Sequence, residues 1–162
     1  PSSSYSRAKI VIMDEGIGVH RSLTANLFHK RENETNLDFL RSAIRPGISK
    51  AFRRGTENRD TDRWSNSGFG LYVVSELCKK LNGRFLLIIG GNYVYTSSDI
   101  EEIEYGLNQL DGKLVAIKLP LQNTDIDSTA LLSSIINAGE KIAAHDMISI
   151  SKVSFPSKNI KF

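Results

Sequence analysis

The sequence predicts an α/β fold, and three observations carry that prediction. Short β-branched apolar runs, such as Lys9-Ile10-Val11-Ile12-Met13 and Leu114-Val115-Ala116-Ile117, are too brief for helices and are bounded by turn residues. Other segments place apolar residues three and four apart, the period of a helix buried along one face. Glycine and Asn-Gly turns stand where one kind of element gives way to the next.

Taken in order, the first run reads as a buried strand that ends abruptly in a glycine turn, Asp14-Glu15-Gly16-Ile17-Gly18. Residues 19–30 become helical, with Leu23 and Leu27 on one face. Leu37, Leu40 and Ile44 predict a second short helix over residues 37–44, broken by Pro46-Gly47. Residues 48–67 are polar and without period, the signature of a functional lid or a disordered segment, and contain Trp64. Leu71, Val74, Cys78 and Leu81 predict a third helix, stopped by Asn82-Gly83.

Residues 84–89 form a strand, Gly90-Gly91-Asn92 a turn and Tyr93-Val94-Tyr95 its partner. The acidic stretch 97–111 is read as an excursion with a short helix around residues 100–105. After Gly112 comes a strand over residues 114–119, closed by Pro120. A linker over residues 122–128 leads to a helix through Leu131, Leu132, Ile135, Ile136 and Ile142, with Ser128 as N-cap. The tail, residues 147–162, is a further strand or an arm.

Composition narrows the function classes. At 162 residues, with 40% hydrophobic and 24% charged, the chain suits one compact domain, for which ~100–200 residues is usual. The single Cys78 excludes a disulfide framework, and no Cys/His group has zinc spacing. The longest apolar run, residues 85–89, is far short of the ~20 needed to span a bilayer, and Pro1-Ser2-Ser3-Ser4 holds no apolar signal core. The expectation is a cytoplasmic protein without membrane contact. The absence of an initial Met suggests a piece of a longer chain with adjoining domains.

A net charge of +3 is mild. The densest basic stretch, Lys50, Arg53, Arg54, Arg59 and Arg63, is interrupted by Glu57, Asp60 and Asp62 and has no alternating aromatics. A solvated loop is the leading reading, phosphate contact with a small ligand the next, and nucleic acid the least favoured.

Two glycine turns carry the chemistry. Asp14 stands where a strand runs out, followed by Gly16 and Gly18; Ser67-Gly68-Phe69-Gly70-Leu71 opens a helix. A helix start offers backbone N–H groups and a positive dipole end to phosphate, and glycines let the backbone approach a ligand closely. An ionised carboxylate accepts but does not donate, so it suits the exocyclic amine of adenine and repels the carbonyl of guanine. Either turn alone is more often mere structure. A P-loop fits worse, since the only Gly-Lys, Gly112-Lys113, enters a strand, and a Rossmann fingerprint lacks its third glycine where Arg21 stands.

Together the motifs resemble the GHKL ATPase superfamily. Asp14-Glu15-Gly16-Ile17-Gly18 is similar to its first glycine box and Ser67-Gly68-Phe69-Gly70-Leu71-Tyr72-Val73-Val74 to its second. The segment from Gly112 to Pro120 resembles the closing strand of the histidine-kinase branch. The resemblance spans residues 9–120. It implies a Bergerat fold, an α/β two-layer sandwich with a mixed, largely antiparallel sheet and helices on one face. It implies an ATP-binding domain over residues 1–121, with residues 122–162 as an unassigned C-terminal extension.

By that likeness Asp14 binds the adenine amine, Gly16 and Gly18 shape the base pocket and Ile17 packs beside it. Ser67, Gly68, Phe69, Gly70 and Leu71 form the phosphate-side turn, and residues 48–66 become the ATP lid. The cofactors implied are ATP and Mg²⁺. The family's Mg²⁺-holding asparagine and its water-activating acid lie on an upstream helix, and only residues 1–8 precede the first strand, so neither is assigned and no catalytic residue is named. Lys113 stands where the family often has threonine. The alternative is a degenerate module that keeps the fold for protein contacts.

Overall fold

A computed structural model describes residues 6–14, 36–48, 68–89, 91–105, 113–121 and 126–146. The helix expected at 19–30, the lid at 48–67 apart from Ile48, and the tail lie outside them. The described elements are β1 (Arg7–Asp14), α1 (Asn36–Ala43), α2 (Gly70–Lys80), β2 (Arg84–Ile89), β3 (Asn92–Ser97), β4 (Glu101–Tyr105), β5 (Lys113–Pro120) and α3 (Ser128–His145). The fold is α/β. The chain divides into two compact units, residues 1–18 with 74–126, and residues 19–73 with 127–162.

The first unit is built on a five-stranded sheet in the order β1-β5-β2-β3-β4. Each described ladder is antiparallel, so the parallel pairing that a mixed sheet implies is not among them. Side chains alternate between faces along each strand. Phe85, Leu87, Val94 and Thr96 are buried, and Ser75 and Cys78 of α2 belong to the same core. Burial pushes the Cys78 thiol up to about 11, so it packs as a small apolar group rather than reacting as a thiolate.

Three expectations are corrected in this unit. The first strand is not buried: Ile10, Val11, Ile12 and Met13 are 50–59% exposed, because β1 lies at the edge of the sheet. Its β-branched run identifies a strand but carries no information about rank in the sheet. Residues 101–105 form β4 rather than a helix. The N–H of Ser97 donates to the carbonyl of Ile100 at 2.8 Å, turning the chain through Ser98-Asp99 into a hairpin on β3. Cross-strand pairing outweighed the helical spacing of Ile100 and Ile103. The partner strand after Gly91, whose φ is +81°, also begins earlier than expected, at Asn92.

The stop after α2 is shared between two residues. Asn82 takes the left-handed conformation, φ +52°, and its N–H donates to Lys79 at 3.2 Å while that of Gly83 donates to Cys78 at 2.7 Å. This is a Schellman motif with asparagine in the glycine position. Gly83 is needed for another reason. A Cβ there would lie 2.6 Å from Leu119 Cδ2 and 2.7 Å from the Lys118 carbonyl, so only glycine lets the turn reach β5.

In the second unit, α1 buries Leu40, Ala43 and the following Ile44. The cap of α3 is Asp127, one residue before the expected Ser128; its carboxylate accepts from the N–H groups of Thr129 and Ala130 at 2.9 and 3.0 Å. Leu132, Ile135, Ile136, Gly139 and Ala143 form its buried stripe. Beyond its last turn, Asp146 accepts an ion pair from Arg45 at 3.4 Å.

Two measurements test this packing. The Thr96 hydroxyl is fully buried and has no hydrogen-bond partner among the described residues. Thr96→Val keeps the shape and removes the desolvated oxygen, so urea unfolding should show a gain of about 1 kcal/mol; a loss of that size would mean the hydroxyl is satisfied. Since the native Cys78 thiol stays protonated until about pH 11 while the unfolded thiol ionises near 9.0, stability should fall between those values. Cys78→Val should flatten the slope of unfolding free energy between pH 9 and 11 relative to the unsubstituted chain.

Candidate functional site

Asp14 is the last residue of β1, and the ladder places it directly opposite Lys113, the first residue of β5. Their side chains meet, Lys113 Nζ donating to Asp14 Oδ2 at 3.3 Å. The Asp14 side chain is 59% exposed. Its carboxylate is therefore not turned away from water as expected at the strand end, but sits in a solvated ion pair of the kind worth about 0–1 kcal/mol. Lys113, which stands where the resembled family often has threonine, is thus one partner of this carboxylate. Gly16, Ile17 and Gly18 lie outside the described residues.

The second turn belongs to the other unit. Ser67 lies outside the described residues, whereas Gly68, Phe69, Gly70 and Leu71 are placed. Gly68 is left-handed, φ +73°, and a Cβ on it would come 2.5 Å from the Ile48 carbonyl oxygen and 2.7 Å from the carbonyl carbon of Gly47. Glycine is obligatory there on both counts. Around Gly70 the situation is the reverse: among the described residues, no atom beyond its chain neighbours and its own helix backbone lies within 4 Å of where a Cβ would stand.

Phe69 holds the turn down. Its side chain is fully buried and meets the Tyr72 ring edge to face, centroids 6.0 Å apart at 89°. A Cβ on Gly139 of α3 would lie 2.5 Å from Tyr72 Cε1 and 2.9 Å from Phe69 Cε1, so α3 rests on this aromatic pair through its glycine. The Tyr72 hydroxyl donates to the Ile135 carbonyl at 3.4 Å. The ring of Phe69, a residue expected among the ligand contacts, is thus committed to packing.

Phe69 also stands at the N-cap position of α2, where its carbonyl accepts the N–H of Val73 at 2.8 Å. A phenyl ring cannot accept the N–H groups of the first turn, and that turn carries no acidic residue. The contrast with the carboxylate-capped α3 is plain. From the sequence, Gly139 has no assigned role and Tyr72 none beyond its place in the second glycine box. Their signal is a glycine at the stripe position between Ile135 and Ala143 of a helix, which marks a close approach rather than a helix end.

Among the described residues no group of three or more His, Cys, Asp or Glu side chains is placed to hold a metal ion. Nor is any described helix long and apolar enough to cross a membrane. No family model matches the chain, and no curated protein or solved structure matches it either. The GHKL likeness accordingly rests on the motif residues themselves.

The two glycines of the turn should respond in opposite ways. Gly68→Ala is expected to lower stability by at least about 1 kcal/mol, from its left-handed φ and its contact with residues 47 and 48. Gly70→Ala should leave the melting temperature unchanged or slightly raised, since its Cβ meets open space at a helix start. Thermal denaturation of both variants checks the pair.

Proposed function

We propose that this chain is an ATP-binding domain of the histidine-kinase-like GHKL type. Asp14 accepts a hydrogen bond from the adenine amine, and the turn from Gly68 to Leu71 receives the phosphates, with Mg²⁺ as their counterion. The observation that carries the reading is the start of α2. It opens on an exposed glycine that no described side chain approaches, has no acid in its first turn and no side-chain acceptor on its N-cap residue. A phosphate supplies what such a helix start lacks.

The order of the motifs supports the same reading: a strand ending in Asp14, a glycine turn opening a helix, and a closing strand, β5, paired with the first. In this assignment Lys113 is a competitor. Its ammonium occupies the carboxylate that the adenine amine needs, so binding base requires Lys113 to share or release Asp14. That pair also motivates the second reading, a module that keeps the fold and acts through protein contacts with little or no nucleotide.

A thermal-shift titration with ATP, ADP and GTP, with and without Mg²⁺, separates the two. A domain that binds adenine nucleotide is raised in melting temperature by ATP and ADP and not by GTP. Asp14→Asn should weaken ATP by about 1–3 kcal/mol, the cost of losing a charged acceptor. Lys113→Met should strengthen it. Calorimetry giving the same ATP affinity for all three proteins would remove Asp14 from the site, and no shift with any nucleotide would leave the protein-contact module.

A further inference from the structure

The four most strongly apolar residues of β1 are also among the most exposed apolar residues described: Ile10 and Val11 at 50%, Met13 at 57% and Ile12 at 59%. Consecutive residues of a strand point to opposite faces, so this exposure is not one uncovered face. It belongs to the whole strand, and the common cause is its place at the edge of the sheet.

The backbone along that edge can be assigned. Leu121 donates its N–H to the Ser6 carbonyl at 2.7 Å, which makes Ser6 and Leu121 a hydrogen-bonded pair of the antiparallel ladder. By the two-residue alternation of such a ladder, Ala8, Ile10, Ile12 and Asp14 also turn their backbone groups toward β5. Arg7, Lys9, Val11 and Met13 turn their N–H and C=O groups outward. No described strand lies beyond them.

The two edges of the sheet differ in kind. The opposite edge, β4, carries Glu101, Glu102 and Glu104 in five residues, a charge density that discourages further pairing. The middle of β1 has no charge from Ile10 to Met13. Its charges are segregated instead, Arg7 and Lys9 in the N-terminal half and Asp14 at the C-terminal end.

We propose that β1 is a dimerisation edge, pairing antiparallel with β1 of a second copy of this chain to join two five-stranded sheets into one of ten strands. A two-fold axis normal to a sheet keeps each face on its own side. Opposed residues must then share a face, and their numbers must add to an even sum. Within that rule the apolar run overlaps itself best when Val11 faces Val11 of the second copy. Ile10 then faces Ile12, Lys9 lays its aliphatic stem against Met13, and Asp14 faces Ala8. Antiparallel apposition also sets the basic half of each strand against the acidic end of the other and keeps the like charges apart. In this register the outward residues, Lys9, Val11 and Met13, form the hydrogen-bonded pairs.

Asp14 belongs both to this edge and to the proposed base site, but the pairing needs no nucleotide, so sedimentation equilibrium without ligand tests it alone. The chain should sediment at twice its 18.0 kDa mass. Val11→Lys, which opposes two ammonium groups across the axis, should be monomeric, as should Val11→Glu. An equimolar mixture of the two should recover the dimer, with the mixed composition verified by native mass spectrometry. Met13→Lys should weaken the dimer by opposing Lys9, and Met13→Glu should tighten it at least about 2-fold through two new cross-strand ion pairs. These side chains are exposed, and circular dichroism of each variant verifies the fold. Should Val11→Lys fail to fold, the two Met13 variants decide. A monomeric parent chain, a dimeric Val11→Lys, a mixture that stays monomeric, Met13 variants that move together, or open-ended polymers would each overturn the proposal.

Discussion

The structure of the sheet depends on one long-range ladder, β1 against β5. It joins residues about a hundred positions apart in eight registered pairs from Arg7–Pro120 to Asp14–Lys113. Closing so long a loop costs conformational entropy that grows only slowly with length, but the cost falls due before any contact across the ladder repays it. The local hairpins β2–β3 and β3–β4 need no such closure, and β5 joins them through β2. β1 is therefore the strand whose place is least secured by its neighbours in sequence and most by pairing. The same ladder sets Lys113 beside Asp14, so strand register supplies that carboxylate with an ammonium partner.

A second constraint repeats at three places: backbone must come closer to its neighbours than any Cβ would permit. Gly68 meets residues 47 and 48, Gly83 meets β5, and Gly139 meets the Phe69–Tyr72 ring pair, each at 2.5–2.6 Å from a virtual Cβ. Two of the three act at the turn that opens α2, one by shaping its backbone and one by letting α3 hold its aromatic anchor. Gly70 alone at that turn is under no such demand. A glycine with space to spare at a helix start is the one whose smallness is left for a ligand to use, which is why the functional reading leans on it rather than on Gly68.

Much of this was legible in the residues. The helices α1, α2 and α3 follow from the spacing of Leu40 and Ile44, of Val74 and Cys78, and of Leu132, Ile135 and Ile136, all of which the sequence places on one face. Strands β2 and β5 follow from β-branched runs and their bounding turns. What was hidden is what periodicity does not encode. Strand rank is one case, for an edge strand and a central one share the pattern Ile-Val-Ile-Met. Hairpin pairing is another: residues 100–105 carry both a helical and an alternating pattern, and the contact with β3 selects the second. The cap of α3 moved by one residue because Asp127 and Ser128 are both competent caps and only backbone direction distinguishes them.

The candidate site shows where a motif stops informing. Asp14 at the end of a strand is a position, and its burial and partner are properties of the assembled sheet. A carboxylate alone discriminates amine from carbonyl at a base edge by repelling the carbonyl; with an ammonium 3.3 Å away, the pair presents an acceptor and a donor together. Half-solvated charges of this kind interact weakly, so the lysine can be displaced at small cost, but while it remains it offers any ligand carbonyl the partner that Asp14 denies. In the proposed nucleotide site, selectivity would therefore be set jointly by Asp14 and Lys113. Lys113, standing where the resembled family often has threonine, is the residue through which the proposed site would differ from a pocket built on a lone carboxylate.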